Sequence, residues 1–570
     1  MITYPKISLN LILVLFILAP LYTYPNLGGA GLAMPFNIAT WAIAIVFTGF
    51  MISISLQEKE LFYSPLFLLS AVFPLLIIIF SFFSEIIIAN LWLFRLLYIV
   101  GGFLFIAALF QLQFKMIDVE KVLYMIVFAM TIHSIVGVLQ VIDISEFTHK
   151  IPMSGRGLPP FGIFQQVNLL ATYLTTGVMI IVFLISRPSF VSKHPFIKML
   201  LVFTFGLSIY IILATGSRIG LLSLLISLPI IIISRKQHLF RHRNTMISLL
   251  LVGILAVIGN SSLMPEVNKS GLDRTFNKIN TLSEAEYKTY REGMYKIGID
   301  LIKQKPLLGH GFTSFPRVWT EGKAKFIAQH PDAAVSPLGT AHPHNELLLW
   351  LIEGGLVAGL GILFVFLALA GGLYYCGGSR GGAYFALLLP ISLHTQTAWP
   401  FYGSAAHWFL WLFIIYMVFR HQAKAVSFSI SRIGQLVLQV IIIVVAGVSL
   451  YFLWHTHKAH DQLRDYMRGE KANMQIVIDN PYFNRFAEKV FMQSVLYSNI
   501  EKQNTAPIPN FIAWAEGRLA VNAEPGMFIM LNDAYGFIGD IQNQCRIAKQ
   551  GLQVYPANAR LQKTLDNCSK

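Results

Sequence analysis

The chain has 570 residues, 55% of them hydrophobic and only 12% charged, against about 25% charged in ordinary soluble domains. That balance excludes a soluble globular enzyme and a disordered protein, and three cysteines are too few for a disulfide-built secreted module. The net charge of +15 could serve a nucleic acid, but the placement of the charges argues for membrane topology instead.

In chain order, apolar runs near the ~20 residues that cross a bilayer fall at Ile7–Tyr22, Ile38–Leu56, Pro65–Phe83, Leu91–Phe110, Val122–Ile142, Val167–Ser186, Met199–Gly216, Ile219–Ser234, Met246–Gly259, Leu347–Ala370, Ala383–Thr397, Ser404–Phe419 and Gly434–Trp454. They predict an all-α polytopic membrane bundle of about thirteen spans, the eighth, ninth and eleventh short. The first run has no small-residue cleavage site before a soluble region, so it reads as a retained span. The loops Arg187–Lys198, Arg235–Arg243 and Arg420–Arg432 are basic and follow even-numbered spans, so they share a face. Cytoplasmic loops are enriched in Lys and Arg, which puts the N-terminus inside and the C-terminus outside.

This divides the chain into a membrane bundle over 1–259, an outward loop over 260–345 carrying part of the site, a second membrane bundle over 346–454 and an outward helical domain over 455–570. The long loop needs helices of its own, and Tyr287–Lys303 has the spacing for one, broken by Pro306–Gly311. The tail reads as helices over Phe511–Ala520, Met527–Phe537, Asp540–Val554 and Ala557–Leu565. Small residues and turn signals give it a tetratricopeptide-like look, which suits protein binding, although a solvated cap is the plainer alternative. Cys545 and Cys568 both lie in this outward tail, where a disulfide can persist, whereas Cys376 faces inward and stays reduced.

Polar groups gather at the outward edges of the spans. His342 and His344, with Asn345 and Glu346, stand where the long loop meets the tenth span. A histidine at a wet membrane edge titrates near neutrality and suits proton transfer or a hydrogen bond to phosphate. Zinc capture is the alternative, but zinc takes three or four ligands, and His310 and His330 lack ligand spacing. Arg218, in Thr215-Gly-Ser-Arg218, falls at an outward junction; Arg95 lies inside the fourth span, where snorkelling would also explain it; Arg291 and Arg156 lie in outward loops and could be ordinary solvated charges. A convergent set of such forks would clamp a pyrophosphate. Gln165, Gln166 and Asn168 open the sixth span, and Trp399-Pro-Phe-Tyr402 forms an outward hairpin that an aromatic interface belt would equally explain. Glu353 sits about two and a half turns beyond His344 on a continuous helix, with helix packing or pairing to Arg218 as alternatives. No Walker loop or dinucleotide fingerprint appears in the chain. A reaction on the outward face therefore needs an activated substrate delivered there, and a lipid-linked pyrophosphate sugar fits.

His342-Pro-His-Asn-Glu346, Glu353-Gly-Gly with Gly359, Thr215-Gly-Ser-Arg218 and Pro306-Leu-Leu-Gly-His-Gly-Phe312 resemble the O-antigen ligase/polymerase superfamily of bacterial membrane proteins. Within it, Gly162–Thr172, the Trp-Pro-Phe-Tyr hairpin and the helical tail look like the PglL-type O-oligosaccharyltransferases, the pilin glycosylation ligases. The resemblance covers nearly the whole chain. It implies a multi-pass protein of the bacterial inner membrane, active on the periplasmic face, that moves an oligosaccharide from undecaprenyl pyrophosphate to Ser or Thr of a periplasmic protein such as pilin. It implies no metal or other cofactor, and the topology of the basic loops already accounts for the surplus charge without a nucleic acid partner. By resemblance, His344 is the family histidine, Gln166 the glutamine of the sixth span, Tyr402 the late tyrosine, and Arg218 and Arg291 the ligase arginines. His342, Asn345, Asn168, Arg95, Arg156 and Glu353 are further substrate-binding candidates. One departure stands out: the family hairpin carries an acid before its proline, and here Ala398-Trp399 occupy that place. The runner-up readings are an O-antigen ligase acting on lipid A-core, an O-antigen polymerase, and, from another class, a lipid-linked sugar transporter. A transporter would put polar residues through the bilayer centre, but these spans are apolar in the middle.

Overall fold

A computed structural model describes residues 4–144, 152–153, 158–263, 290–331, 333, 335–336 and 339–568. The helices are α1 Tyr4–Ile17, α2 Pro35–Glu58, α3 Pro65–Leu69, α4 Val72–Ser81, α5 Ala89–Gln111, α6 Met116–Val141, α7 Val167–Ile185, α8 Pro195–Ala214, α9 Arg218–Phe240, α10 Arg243–Leu263, α11 Tyr290–Gln304, α12 Phe315–Gln329, α13 Glu346–Tyr375, α14 Gly378–Thr395, α15 Pro400–Gly403, α16 Ala405–Phe419, α17 Arg432–Met467, α18 Met474–Ile478, α19 Asn484–Glu501, α20 Ile508–Val521, α21 Pro525–Phe537, α22 Ile541–Val554 and α23 Ala559–Cys568. Every apolar run singled out in the sequence falls on helix, but the third, Pro65–Phe83, is broken by a turn at Ser70 and Ala71 into α3 and α4. Among the described residues nine of these helices are long and apolar enough to cross a membrane, with shorter apolar helices at Lys6–Leu21 and Pro65–Ser81. The eighth and ninth runs, expected to be short, extend into the full-length α9 and α10, because their basic ends continue the helix past the apolar stretch.

The chain forms two compact units. The first comprises Met1–Val72, Tyr98–Asn280 and Leu363–His457. Its centre is α7, buried almost throughout. Apolar side chains face every direction there, and the hydroxyls of Thr172, Thr175 and Thr176 return to carbonyls one turn back at 2.9 Å, so these three hydroxyls are satisfied within their own helix. Gly220 of α9 lets that helix approach α7: a Cβ there would lie 2.5 Å from the Ala171 methyl. A two-stranded antiparallel ribbon, β1 (Glu60–Tyr63) with β2 (Lys424–Ser427), pairs Glu60 opposite Ser427.

The second unit comprises Phe73–Leu97, Thr281–Ile362 and Lys458–Lys570. In it α11 and α12 pack over the first turns of α13 through Ile297, Leu301, Phe315, Trp319, Leu349 and Ile352. The C-terminal helices share a core of Phe511, Met527, Phe528, Leu531, Ile547 and Leu561, and Cys545 bonds Cys568 across a Cα separation of 6.0 Å. Cys376 is a free thiol.

Candidate active site

In the second unit the two-histidine motif is not helical. The expectation of a continuous helix from His344 to Glu353 is corrected: α13 starts at Glu346, and His344 has a left-handed backbone with φ 53°. Among the described residues seven non-glycine residues share positive φ, and four of them, Lys59, Gln113, Asp143 and Gln503, simply terminate helices. The other three are Gln165, Thr313 and His344. Such strain persists only where the surroundings impose it, and it clusters at functional sites. Here the His344 N–H donates to Nδ1 of His342 at 2.9 Å. Nε2 of the buried His342 lies 3.4 Å from the Glu346 carboxylate, and the Asn345 side chain caps α13 by accepting from the Leu348 N–H at 2.9 Å. The loop is thus pinned at both ends and turns His344 away from the helix register. Its imidazole is half-buried. Burial first, then His342 and Arg291, hold its pKa below the ordinary histidine value. Arg291, at the start of α11, is exposed yet close enough to act on that ring.

Behind this loop α13 breaks at Gly355, which has φ 58°. The Pro306–Gly311 segment takes up the released backbone groups. Leu356 N–H donates to the Pro306 carbonyl at 2.8 Å, and His310 and Gly311 donate to the Ile352 and Glu353 carbonyls at 2.9 and 3.0 Å. Arg95, expected to snorkel or bind substrate, is buried and ion-paired with Glu353 at 2.5 Å. The other Glu353 oxygen accepts from the Phe315 N–H at 3.1 Å. Glu353, for which pairing with Arg218 was an alternative, therefore ties Arg95 to the start of α12.

In the first unit the Gln140 carboxamide, unremarked in the sequence, clamps the Pro159–Asn168 segment. It accepts from Phe161 and Gly162 N–H at 3.0 and 2.8 Å and donates to the Pro152 and Gly162 carbonyls. Gln166 caps α7 through the Leu169 N–H at 2.5 Å. Asn168 accepts from the Ser217 hydroxyl at 2.7 Å, joining the start of α7 to the start of α9. Arg218 is the first residue of α9, exposed and without a partner among the described residues. A cation there opposes the helix dipole, so it does nothing for local stability. Tyr402 lies on the short α15 with its ring 6.1 Å from that of Tyr98. Asn37, also missed in the sequence, fixes this hairpin by donating to the Gly403 carbonyl at 3.0 Å and accepting from the Ala405 N–H at 2.7 Å. The only sequence signal for Gln140 and Asn37 was an amide inside an apolar helix. Arg156 lies outside the described residues. Among the described residues no three His, Cys, Asp or Glu gather to hold a metal.

The structure thus brings His342, His344, Asn345 and Arg291 into one neighbourhood of the second unit, and Gln166, Asn168 and Ser217 into one of the first. Comparison with known proteins finds the family model described as O-antigen ligase over residues 203–363 and that described as protein glycosylation ligase over 160–184. A third, described as virulence factor membrane-bound polymerase, C-terminal, matches 383–567. No curated protein matches the chain significantly.

Proposed function

Since the chain is a PglL-type member of the O-antigen ligase superfamily, we propose that it transfers an oligosaccharide from undecaprenyl pyrophosphate to Ser or Thr hydroxyls of periplasmic proteins such as pilin. The families support a membrane-embedded ligase of O-antigen or protein glycosylation type. The finer reading rests on one observation above the others. His344 is held in strained backbone, and burial with nearby positive charge keeps its imidazole neutral at pH 7. A neutral imidazole at the loop's edge can take a proton. The protein glycosylation match spans Gln166 and Asn168, which favours a protein acceptor over lipid A-core.

In this mechanism the acceptor hydroxyl gives its proton to His344 as its oxygen attacks the anomeric carbon. The bond from that carbon to the pyrophosphate oxygen breaks, and the electron pair leaves on the pyrophosphate. The guanidinium groups of Arg218 and Arg291 act on the developing negative charge. Gln166, Asn168 and Tyr402 orient sugar or acceptor. Pyrophosphate is a good leaving group, so positioning supplies much of the acceleration, and the chemistry requires no metal or nucleotide. The reading puts the reaction on the periplasmic side of a bacterial inner membrane.

The test is the intact mass of a pilin co-expressed with this protein and a lipid-linked oligosaccharide pathway, beside a His344→Ala control. A glycan-sized increase, absent in the control, is the expected result. No increase on any periplasmic protein, with loss of lipid A-linked polysaccharide in a knockout, would move the activity to O-antigen ligation. An increase that survives His344→Ala would remove His344 from the mechanism.

A further inference from the structure

At the end of the first unit opposite Gln166 and Arg218 along α7 and α9, four arginines and a histidine crowd together. Arg235 of α9 is buried and donates to the Ser186 hydroxyl at 2.9 Å, the Ser186 carbonyl at 3.3 Å and the Ser379 hydroxyl at 3.1 Å. Its guanidinium feels the charges of Arg187 and Arg380. Arg187 and Arg235 both lie 5.9 Å from the Phe183 ring centre. Arg380 lies 3.4 Å from Nδ1 of His421, and His421 is pulled down to about 4 by burial and then by Arg420, Arg380 and Arg187. Glu120 is bonded to Arg187 at 2.8 Å. Among the described residues Arg235, Arg380 and Arg420 have no carboxylate partner.

A basic cytoplasmic loop satisfies the topology rule with solvated, mutually distant charges. It does not call for an arginine buried beneath two others. Cations held together without counter-charge repel one another, and an anion placed among them relieves that. Arginine's planar fork matches phosphate oxygens in pairs. Beside the cluster, Leu373, Tyr374, Tyr375 and Phe385 line an open apolar cleft floored by Gly377, Gly378, Gly381 and Gly382, and Tyr374 and Tyr375 are 89% and 63% exposed. Arg380 lies in the chain between Gly378 and Gly381 of this cleft, and an apolar cleft adjoining guanidinium groups that lack a carboxylate partner has the chemistry of an acyl chain joined to a phosphate.

We propose that Arg187, Arg235, Arg380 and Arg420 form a phosphate-binding site, occupied by the headgroup of an anionic phospholipid whose chain lies along the Tyr374–Phe385 cleft. It is separate from the transfer site and does not depend on the transfer reading. The test is native mass spectrometry of the detergent-purified full chain with phosphatidylglycerol, phosphatidylcholine or inorganic phosphate. The wild type should retain phosphatidylglycerol about tenfold better than phosphatidylcholine, and the exposed Arg380→Gln should remove most of that preference, one lost pairing being worth about tenfold. Arg187→Gln is the second variant, and an unliganded melting temperature equal to wild type qualifies each as folded. If inorganic phosphate alone displaces phosphatidylglycerol, the phosphate site stands and its ligand is soluble phosphate. If it does not, the lipid is the ligand. Equal retention of the two lipids, or unchanged phosphatidylglycerol retention in both folded variants, overturns the proposal.

Discussion

An imidazole that is to accept a proton at neutral pH must be neutral beforehand, and at His344 two physical causes secure this. Burial disfavours the imidazolium, and the neighbouring positive charge of Arg291 adds to it. The working form, neutral His344, therefore accumulates as pH rises through a value below the ordinary ~6.5. Transfer activity should climb along an acid limb centred below that value and lie flat above it until another group titrates. Arg291→Gln removes a like charge, so its acid limb should move toward higher pH; a limb that stays in place would show that Arg291 does not act on the ring. His344→Ala should lower the rate by about 10²–10⁴, the usual worth of a positioned general base. The residue type and its neighbours in sequence pointed to His344. Its left-handed backbone did not show, because the strain is imposed by His342 below it and Glu346 beyond.

The break in α13 and the segment bound to it supply two sharper contrasts. A Cβ at Gly309 would lie 2.4 Å from the Glu353 carbonyl oxygen, and Gly309 has φ +69°. Gly309→Ala should therefore add an overlap of about 1–3 kcal/mol to a left-handed penalty of about 1–2 kcal/mol. Gly539 has φ +77° with open space around it, so Gly539→Ala should show the backbone penalty alone. Equal losses of melting temperature in the two variants would mean that the packing against Glu353 is unimportant. The Arg95–Glu353 pair gives a second contrast. Removing one partner of a buried pair strands a charge and costs about 3–5 kcal/mol, whereas removing both is often near neutral. Arg95→Met should thus unfold the protein at markedly lower temperature, and Arg95→Met with Glu353→Gln should recover most of the loss while keeping an acceptor for the Phe315 N–H. If the double variant is stable and active, the pair is structural; if stable and inactive, it touches substrate. The spans were legible because an apolar run near the length of a bilayer has few other fates. The same runs gave no hint of the Gly355 break, of α12 or of the ribbon between Glu60–Tyr63 and Lys424–Ser427. Each of these exists because a partner distant in sequence satisfies its backbone, and periodicity within a segment carries no trace of that partner.

Across the whole molecule, the tail helices are not a detached appendage to the loop that carries His344, because both belong to the second unit. Their joint is Lys323 of α12. Its side chain is buried, donates to the Ser336 carbonyl and sits 4.2 Å from the Tyr555 ring centre. Tyr555 in turn donates to the Ala523 carbonyl at 2.7 Å. Helix pairing in the tail was readable from its turn signals, and so was the pairing of its two cysteines. The docking was not, since a lysine in a polar loop reads as solvated. Burial draws the Lys323 amine down to about 8, whereas the unfolded chain holds its proton to about 10.4. Below pH 8 both states carry the proton, and the folded state bears the full cost of burying the charge. Between these values the unfolded state binds more protons, so stability rises with pH through that window, by about 3 kcal/mol. In Lys323→Met that rise should vanish while the rest of the pH profile is kept. Melting curves of the two proteins from pH 7 to pH 10 would show it: parallel curves would mean that the amine is solvated, and that the tail meets the His344 loop without this contact.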